Sequence, residues 1–406
     1  MFGGATLAIK HGATGPVLVA GSSGGSAQCR VCHSVAAQGA TLITQHGDSY
    51  PQSSSYALTN ADLETVIGTA NSQFAFPAIS PDGTFLFSNT APLPGIGPPA
   101  TSGLFAIPSG APIASTGLPA GLGAGTPVFS PDGKHVAFND YSGDKISLAA
   151  MDFTQSTNTF ANLVTLNTPT PTTFPDLFPG FLPTNDAVIF EHETASDGEF
   201  GATRDGSRGE LWWADLATQT AVPLATLNGV GYLPTGVNNH STDQTLAYEP
   251  TVNPVASGGY AWVVFTSRRM YGNIATIDPF SSDPRNFNLA ANATTKKLWV
   301  AAIDLNAKPG TDPSHPAFYL PGQELLAGNS RGYWVVDPCE QNGASCLTGD
   351  QCCSGFCEDV DGGFVCGTQP PGCSGLSNKC TVASDCCGYS SGIQCIDGFC
   401  AQASPQ

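Results

Sequence analysis

Two stretches of this 406-residue chain repeat each other. Residues 76–88 read Phe-Pro-Ala-Ile-Ser-Pro-Asp-Gly-Thr-Phe-Leu-Phe-Ser, and residues 126–138 read Thr-Pro-Val-Phe-Ser-Pro-Asp-Gly-Lys-His-Val-Ala-Phe. Such a repeat restricts the fold sharply, because one unit cannot bury its apolar face alone and must stack on copies of itself. The repeat also makes local sense. Proline presets φ at the first central position of a turn, and glycine accepts the positive φ that closes it. The alternating apolar residues that follow have the period of a half-buried strand.

Weaker copies share the frame. Pro179 leads into Ala187-Val-Ile-Phe190, Pro250 into Tyr260-Ala-Trp-Val-Val-Phe265, and Pro316 into Glu324-Leu-Leu-Ala327. His33-Ser-Val-Ala-Ala37 and Ala40-Thr-Leu-Ile43 give one more, with histidine in place of the first proline. The frame starts are therefore 33, 77, 127, 179, 250 and 316. Six such units imply an all-β fold, a six-bladed β-propeller in which each blade is a small antiparallel sheet. Further strands are expected at 103–107, 145–149, 210–214, 297–303 and 332–336. The sixth unit is short, so residues 1–20 are expected to close the last blade and remove the open edges of the ring. Composition agrees: 47 glycines and 32 prolines suit many turns and oppose helix interiors.

The Ser-Pro-Asp-Gly repeats resemble the TolB-like six-bladed propellers. The likeness spans residues 33–336 and is specific at 77–88 and 127–138. It implies the propeller and, by itself, a protein-binding role. The layout as a whole is similar to large surface-exposed bacterial proteins that join such a ring to a cysteine-rich tail. The expected domains are a propeller at 1–337 and two small modules at 338–368 and 369–406.

That tail holds twelve of the fourteen cysteines. Each set of six has a vicinal pair, and a unit of this size needs disulfides in place of a core. Sequence alone leaves 15 connectivities per set. The sets resemble inhibitor cystine knots, which implies first-to-fourth, second-to-fifth and third-to-sixth pairing. That pairing joins Cys339 to Cys353, Cys346 to Cys357 and Cys352 to Cys366. In the second module it joins Cys373 to Cys387, Cys380 to Cys395 and Cys386 to Cys400.

The remaining two cysteines stand in Cys29-Arg-Val-Cys32-His33, which departs from the TolB-like pattern. C-x-x-C-H is the attachment motif of a c-type haem, with two thioether bonds and a histidine on the iron. Zinc would need a second ligand pair and a thioredoxin-like pair a βαβ setting; neither is present, and a local Cys29–Cys32 disulfide is the main competitor. Because His33 opens the first unit, the haem is expected near the central channel on the first blade. A pure electron carrier also needs a sixth ligand, Met or His. The candidates are His11, His46, His135, His192, His240, His315, Met151 and Met270. His315 is preferred because it directly precedes the sixth-frame Pro316, with Met151 and His240 as alternates.

These readings imply an exported, monohaem c-type cytochrome with one covalent haem c, transferring electrons at a bacterial cell surface or in the periplasm. Its partner would be a redox protein or a neighbouring cytochrome, with self-assembly possible. The rivals are a non-redox propeller that binds protein or glycan and a peroxidase-like enzyme with an open iron site. A net charge of −18 argues against nucleic acid and anionic membrane. No apolar run is long enough to span a bilayer. Residues 1–20 lack the form of a signal peptide, so the export signal is expected to lie outside the sequence given.

Overall fold

The computed structural model describes residues 4–9, 15–21, 30–46, 52–58, 62–68, 73–90, 101–199, 201–204, 206–233, 243–269, 296–324 and 327–336. In the tail it describes 342–346, 352, 357–360, 363–368, 373–374, 379–387, 389, 392–396 and 398–402.

A two-stranded hairpin comes first, β1 (Thr6–Ala8) with β2 (Val17–Ala20). Five four-stranded antiparallel meanders follow. Blade one is β3 (Val31–Val35), β4 (Thr41–His46), β5 (Gln52–Ala57) and β6 (Leu63–Ile67). Blade two is β7 (Ala78–Ile79), β8 (Phe85–Ser88), β9 (Gly103–Ala106) and β10 (Pro112–Ile113). Blade three is β11 (Ala124–Phe129), β12 (His135–Asp140), β13 (Leu148–Thr154) and β14 (Thr159–Asn167). Blade four is β15 (Asp176–Phe181), β16 (Ala187–Ala195), β17 (Arg208–Asp215) and β18 (Ala221–Pro223). Blade five is β19 (Ala247–Val252), β20 (Tyr260–Ser267), β21 (Lys297–Asp304) and β22 (Phe318–Tyr319).

The core lies between consecutive blades. Ile43, Phe74 and Leu86 pack blade one on blade two, and Phe87, Phe138 and Phe160 pack two on three. Val188, Phe190 and Ala150 join three to four, while Trp213, Phe265 and Trp299 join four to five. The first strand of each sheet is innermost. Residues of all five, among them Ser34, Ala78, Val128, Gly180 and Thr251, line one central cavity of about 70 Å³.

The Ser-Pro-Asp-Gly turns form for the reason their composition gives. Ser80 Oγ donates to Asp82 Oδ1 at 2.7 Å, Asp82 Oδ1 accepts from Thr84 N, and Gly83 stands at φ +74°. Ser130, Asp132, Lys134 and Gly133 repeat the arrangement.

A second repeat is invisible as a sequence motif. Every inner strand carries a non-glycine residue in the left-handed region: Cys32, Phe76, Thr126, Phe178 and Glu249, at φ between 42° and 51°. In blades one, three, four and five the register slips there by one residue, which is a β-bulge. The next residue is His33, Pro77, Pro127, Pro179 or Pro250. Proline suits a bulge, since it has no N–H to leave out of the ladder. Neighbouring blades accept the N–H groups of the bulges. Phe76 N donates to Cys32 O at 3.1 Å, Phe178 N to Thr126 Oγ1 at 2.9 Å, and Glu249 N to Glu191 Oε2 at 2.8 Å.

The expectation of six blades is corrected: the described residues form five four-stranded sheets. The frame at Pro316 is misplaced, because residues 318–319 form β22, the outermost strand of blade five, paired to Trp299 and Val300. Residues 332–336 pair in no sheet. They run instead between blades five and one, where Thr251 Oγ1 donates to Gly332 O at 2.6 Å and Tyr333 OH lies 3.2 Å from Ser34 Oγ. The hairpin β1–β2 is placed against blade one, with Ala20 packed on Leu42 and Tyr56. The strand expected at 145–149 starts later, at Leu148, because Asp140 and Lys145 close a turn before it. Residues 325–326 lie outside the described residues.

The tail shows five disulfides in the expected pattern: Cys346–Cys357, Cys352–Cys366, Cys373–Cys387, Cys380–Cys395 and Cys386–Cys400. Cys339 and Cys353 lie outside the described residues. Each module also has a hairpin, β23 (Cys357–Val360) with β24 (Gly363–Cys366) and β25 (Ile393–Ile396) with β26 (Phe399–Gln402). Phe399 leaves the second module to join the apolar cluster of blades four and five. This disulfide usage is that of chains matured in an oxidising compartment.

Candidate functional site

His33 takes the place that proline holds in the other four inner strands, so its ring enters the space between blade one and residues 331–333. The imidazole lies against Tyr333, ring centroids 5.3 Å apart. Burial and then the nearby charge of Arg331 push its pKa down to about 4, with an interaction with the Arg331 backbone opposing both. At neutral pH the ring is therefore uncharged, the form in which histidine binds a metal.

Arg331 sits over three rings, Phe178 at 4.7 Å, Tyr333 at 5.0 Å and Phe76 at 5.4 Å. Phe178 is the bulge residue of blade four and Phe76 holds the matching left-handed position just before β7, so blades two and four build a pocket for this guanidinium. Tyr333 is raised above its ordinary pKa by burial, which keeps the phenol protonated.

On its other side His33 borders a cavity of about 240 Å³, shared with Arg30, Val31, Lys296 and Glu324. Arg30 is held by Glu64 at 2.8 Å and by the Tyr56 hydroxyl at 2.7 Å. Lys296 Nζ lies 3.2 Å from both Thr203 Oγ1 and Ser330 Oγ, and burial lowers its pKa. Among the described residues no carboxylate pairs with it. The cavity thus offers one neutral nitrogen donor and the Lys296 ammonium, and Glu324 borders it as well.

That donor set fits a haem, which presents an iron for an imidazole and propionates for a cation. Of the two described motif residues, however, only His33 is on the cavity wall. Cys32 is buried one residue away, at the bulge, and Cys29 lies outside the described residues.

Of the expected sixth ligands, those among the described residues are not brought to His33. His315 is 44% exposed on the outer side of blade five, its Nε2 2.9 Å from Asp304 Oδ1 and its ring against Tyr260. Its resemblance to a sixth frame start came from the adjacent proline alone. Met151 is 3% exposed among the phenylalanines between blades two and three. His46 is bonded to Ser54, His135 to Asp152 and His192 to Asp176. His11, His240 and Met270 lie outside the described residues. Sequence reasoning also missed Tyr333 and Arg331, which follow the last strand of blade five, and Lys296, which directly precedes β21.

No protein-family profile matches the chain, and no curated protein does. Solved structures of similar shape exist. Kuenenia stuttgartiensis hydrazine synthase is 11% identical with a TM-score of 0.37, covering 72% of this chain and 66% of that one. A Niastella koreensis GH74 enzyme is 12% identical at a TM-score of 0.41, with 71% and 39% covered. TolB from Acinetobacter baumannii is 14% identical at 0.36, with 62% and 54% covered. In each case the chain spans under two thirds of the other's length. No helix among the described residues is long and apolar enough to cross a membrane. The three-ligand clusters among those residues, Cys346/Cys352/Cys357 and Cys380/Cys386/Cys400, are cystine sulfurs.

Proposed function

We propose that the chain is an exported monohaem c-type cytochrome built on a β-propeller and bearing a disulfide-laced tail. One observation carries the reading: a histidine within C-x-x-C-H replaces the proline of four sister strands, and its neutral ring opens onto a cavity that also holds Lys296, which makes no ion pair among the described residues. A bound haem would supply one-electron redox chemistry. His33 would ligate the iron, and Tyr333 would fix the plane of its ring. Lys296 would meet a propionate, while Cys29 and Cys32 would carry the covalent bonds. Completion of the ring by residues 331–336 with the β1–β2 hairpin, as a degenerate sixth unit, belongs to the same proposal, as does an extracellular or periplasmic location.

The test is an absorption spectrum of protein matured in a host that exports and attaches haem. A Soret band that stays with the polypeptide after denaturation, and a mass gain of one haem, are the expected results. Absence of both in the wild type would leave a non-redox binding propeller with Cys29–Cys32 as a disulfide, and retention of both after replacing Cys29 and Cys32 with alanine would show that these cysteines do not attach the haem. Carbon monoxide binding to the reduced protein separates an open iron site from a six-coordinate carrier. The open site is the second reading, favoured because the described cavity wall holds no methionine and no second histidine.

A further inference from the structure

The interface of blades four and five contains a pair of acids that no part of the haem reading uses. Glu191 and Glu193 lie two apart on β16, so both point the same way. They are 0% and 2% exposed. Glu191 Oε2 accepts the Glu249 bulge N–H and the Gly201 backbone approaches the Glu193 carboxyl, but Glu191 Oε1 and both oxygens of Glu193 have no partner at hydrogen-bond geometry among the described residues. No ion pair to a basic side chain reaches either acid among those residues. The charged groups nearest Glu193 are themselves acidic: Asp197, and Glu191 beneath it.

Three buried, unpartnered carboxylate oxygens are costly unless something compensates them. The backbone brings a further oxygen close to the Glu191 carboxyl. A Cβ added to Gly209, which faces Glu193 across the β16–β17 ladder, would stand 2.9 Å from Glu191 Oε1 and 2.8 Å from the Ala247 carbonyl. A glycine is therefore needed where carboxylate and carbonyl oxygens converge.

We infer that Glu191 and Glu193 form a site for a hard divalent cation, calcium first, wedged between blades four and five. The chemistry is that of an oxygen-only site, carboxylates with a backbone carbonyl and water. Such sites in extracellular proteins bind calcium with dissociation constants on the order of 10⁻⁴ to 10⁻³ M. The cation would cross-link two blades, and the inference stands whether or not the chain carries haem.

The test uses the full chain, stripped with a chelator and titrated with calcium chloride by calorimetry and by thermal midpoint, with magnesium chloride in parallel. One calcium per chain and a rising midpoint are expected. Glu193→Gln, which keeps the shape and removes the charge, should weaken binding at least about tenfold while its cation-free midpoint equals or exceeds that of the wild type. A wild-type midpoint indifferent to calcium at millimolar concentration overturns the site. So does a Glu193→Gln protein that responds as the wild type does. A wild type whose midpoint shifts with pH but is the same with and without calcium carries a proton on Glu193 and no metal.

Discussion

The His33 imidazole and the Tyr333 ring face each other at 5.3 Å with 55° between their planes, which joins the first inner strand to the last described stretch of the propeller. The Tyr333 hydroxyl continues the junction to Ser34 Oγ at 3.2 Å. Among the described residues, blade one and residues 331–333 meet through these side chains, where the other blade junctions also have apolar clusters. Tyr333→Phe should cost about 1 kcal/mol, one net hydrogen bond. Tyr333→Ala should cost more, about 2–4 kcal/mol, because a half-buried aromatic packed on His33 and Arg331 is lost. Urea midpoints at constant slope would measure both. Equal midpoints for Tyr333→Ala and wild type would mean that the closure contributes nothing to stability.

Thr126 offers a sharper case. A β-branched residue at φ +42° is strained, yet its Oγ1 is the acceptor for the buried Phe178 N–H. Thr126→Ala leaves that donor without a partner and should cost about 1–3 kcal/mol. Thr126→Ser keeps the oxygen and drops the branch, so it should match the wild type or better it. The comparison of the two unfolding curves separates the hydrogen bond from the strain.

The same bulge explains what could be read in the sequence. Prolines 77, 127, 179 and 250 marked four true inner strands, and histidine at 33 marked the fifth, because each sits where the ladder leaves out an N–H. The prolines reported a local backbone need, so the frame was legible. Pro316 failed because an outer strand start tolerates proline for a different reason, as an edge position. The true neighbour of blade one, around Arg331 and Tyr333, has neither proline nor a turn motif to announce it. Blade one was only half legible, since β5 is built from Gln52, Ser53, Ser54 and Ser55, which show no apolar alternation. The disulfide pattern was readable through resemblance, as spacing alone left it open. The acids at 191 and 193 did carry a signal: charges at alternate positions directly after Ala187-Val-Ile-Phe190, on the face that Ile189 uses to reach the core.

Phe399 is buried with Trp213, Phe265 and Leu305 although it belongs to the second cystine module. Phe399→Ala should undock that module without unfolding either part, since the disulfides hold the module and the blades hold the ring. Removing the ring costs about 3–5 kcal/mol of local contact. The expected result is faster protease cleavage around 367–372 with an unchanged far-ultraviolet spectrum. Cleavage at the wild-type rate would show that the module is not anchored there.

Glu193 also sets a pH dependence in the absence of divalent cations. Burial pushes its pKa up from 4.5 to about 8, Asp197 adds to the push, and the Gly201 N–H opposes it only in part. Glu191 is driven in the same direction, by burial and then by Glu193, and Asp176 is raised by burial. The folded protein therefore keeps protons that the unfolded chain has already shed. Stability is full below the unfolded value near 4.5 and is lost as the pH rises towards 8. Across that window each such group contributes a slope of about 1.4 kcal/mol per pH unit. Glu193→Gln cannot titrate, so its unfolding free energy should fall less steeply than that of the wild type by about one group's share. Chelator-treated protein unfolded in urea at half-unit intervals from pH 5 to pH 8.5 would give both slopes. Identical slopes would place the Glu193 carboxyl near its ordinary value and remove the argument that it is held neutral by its surroundings.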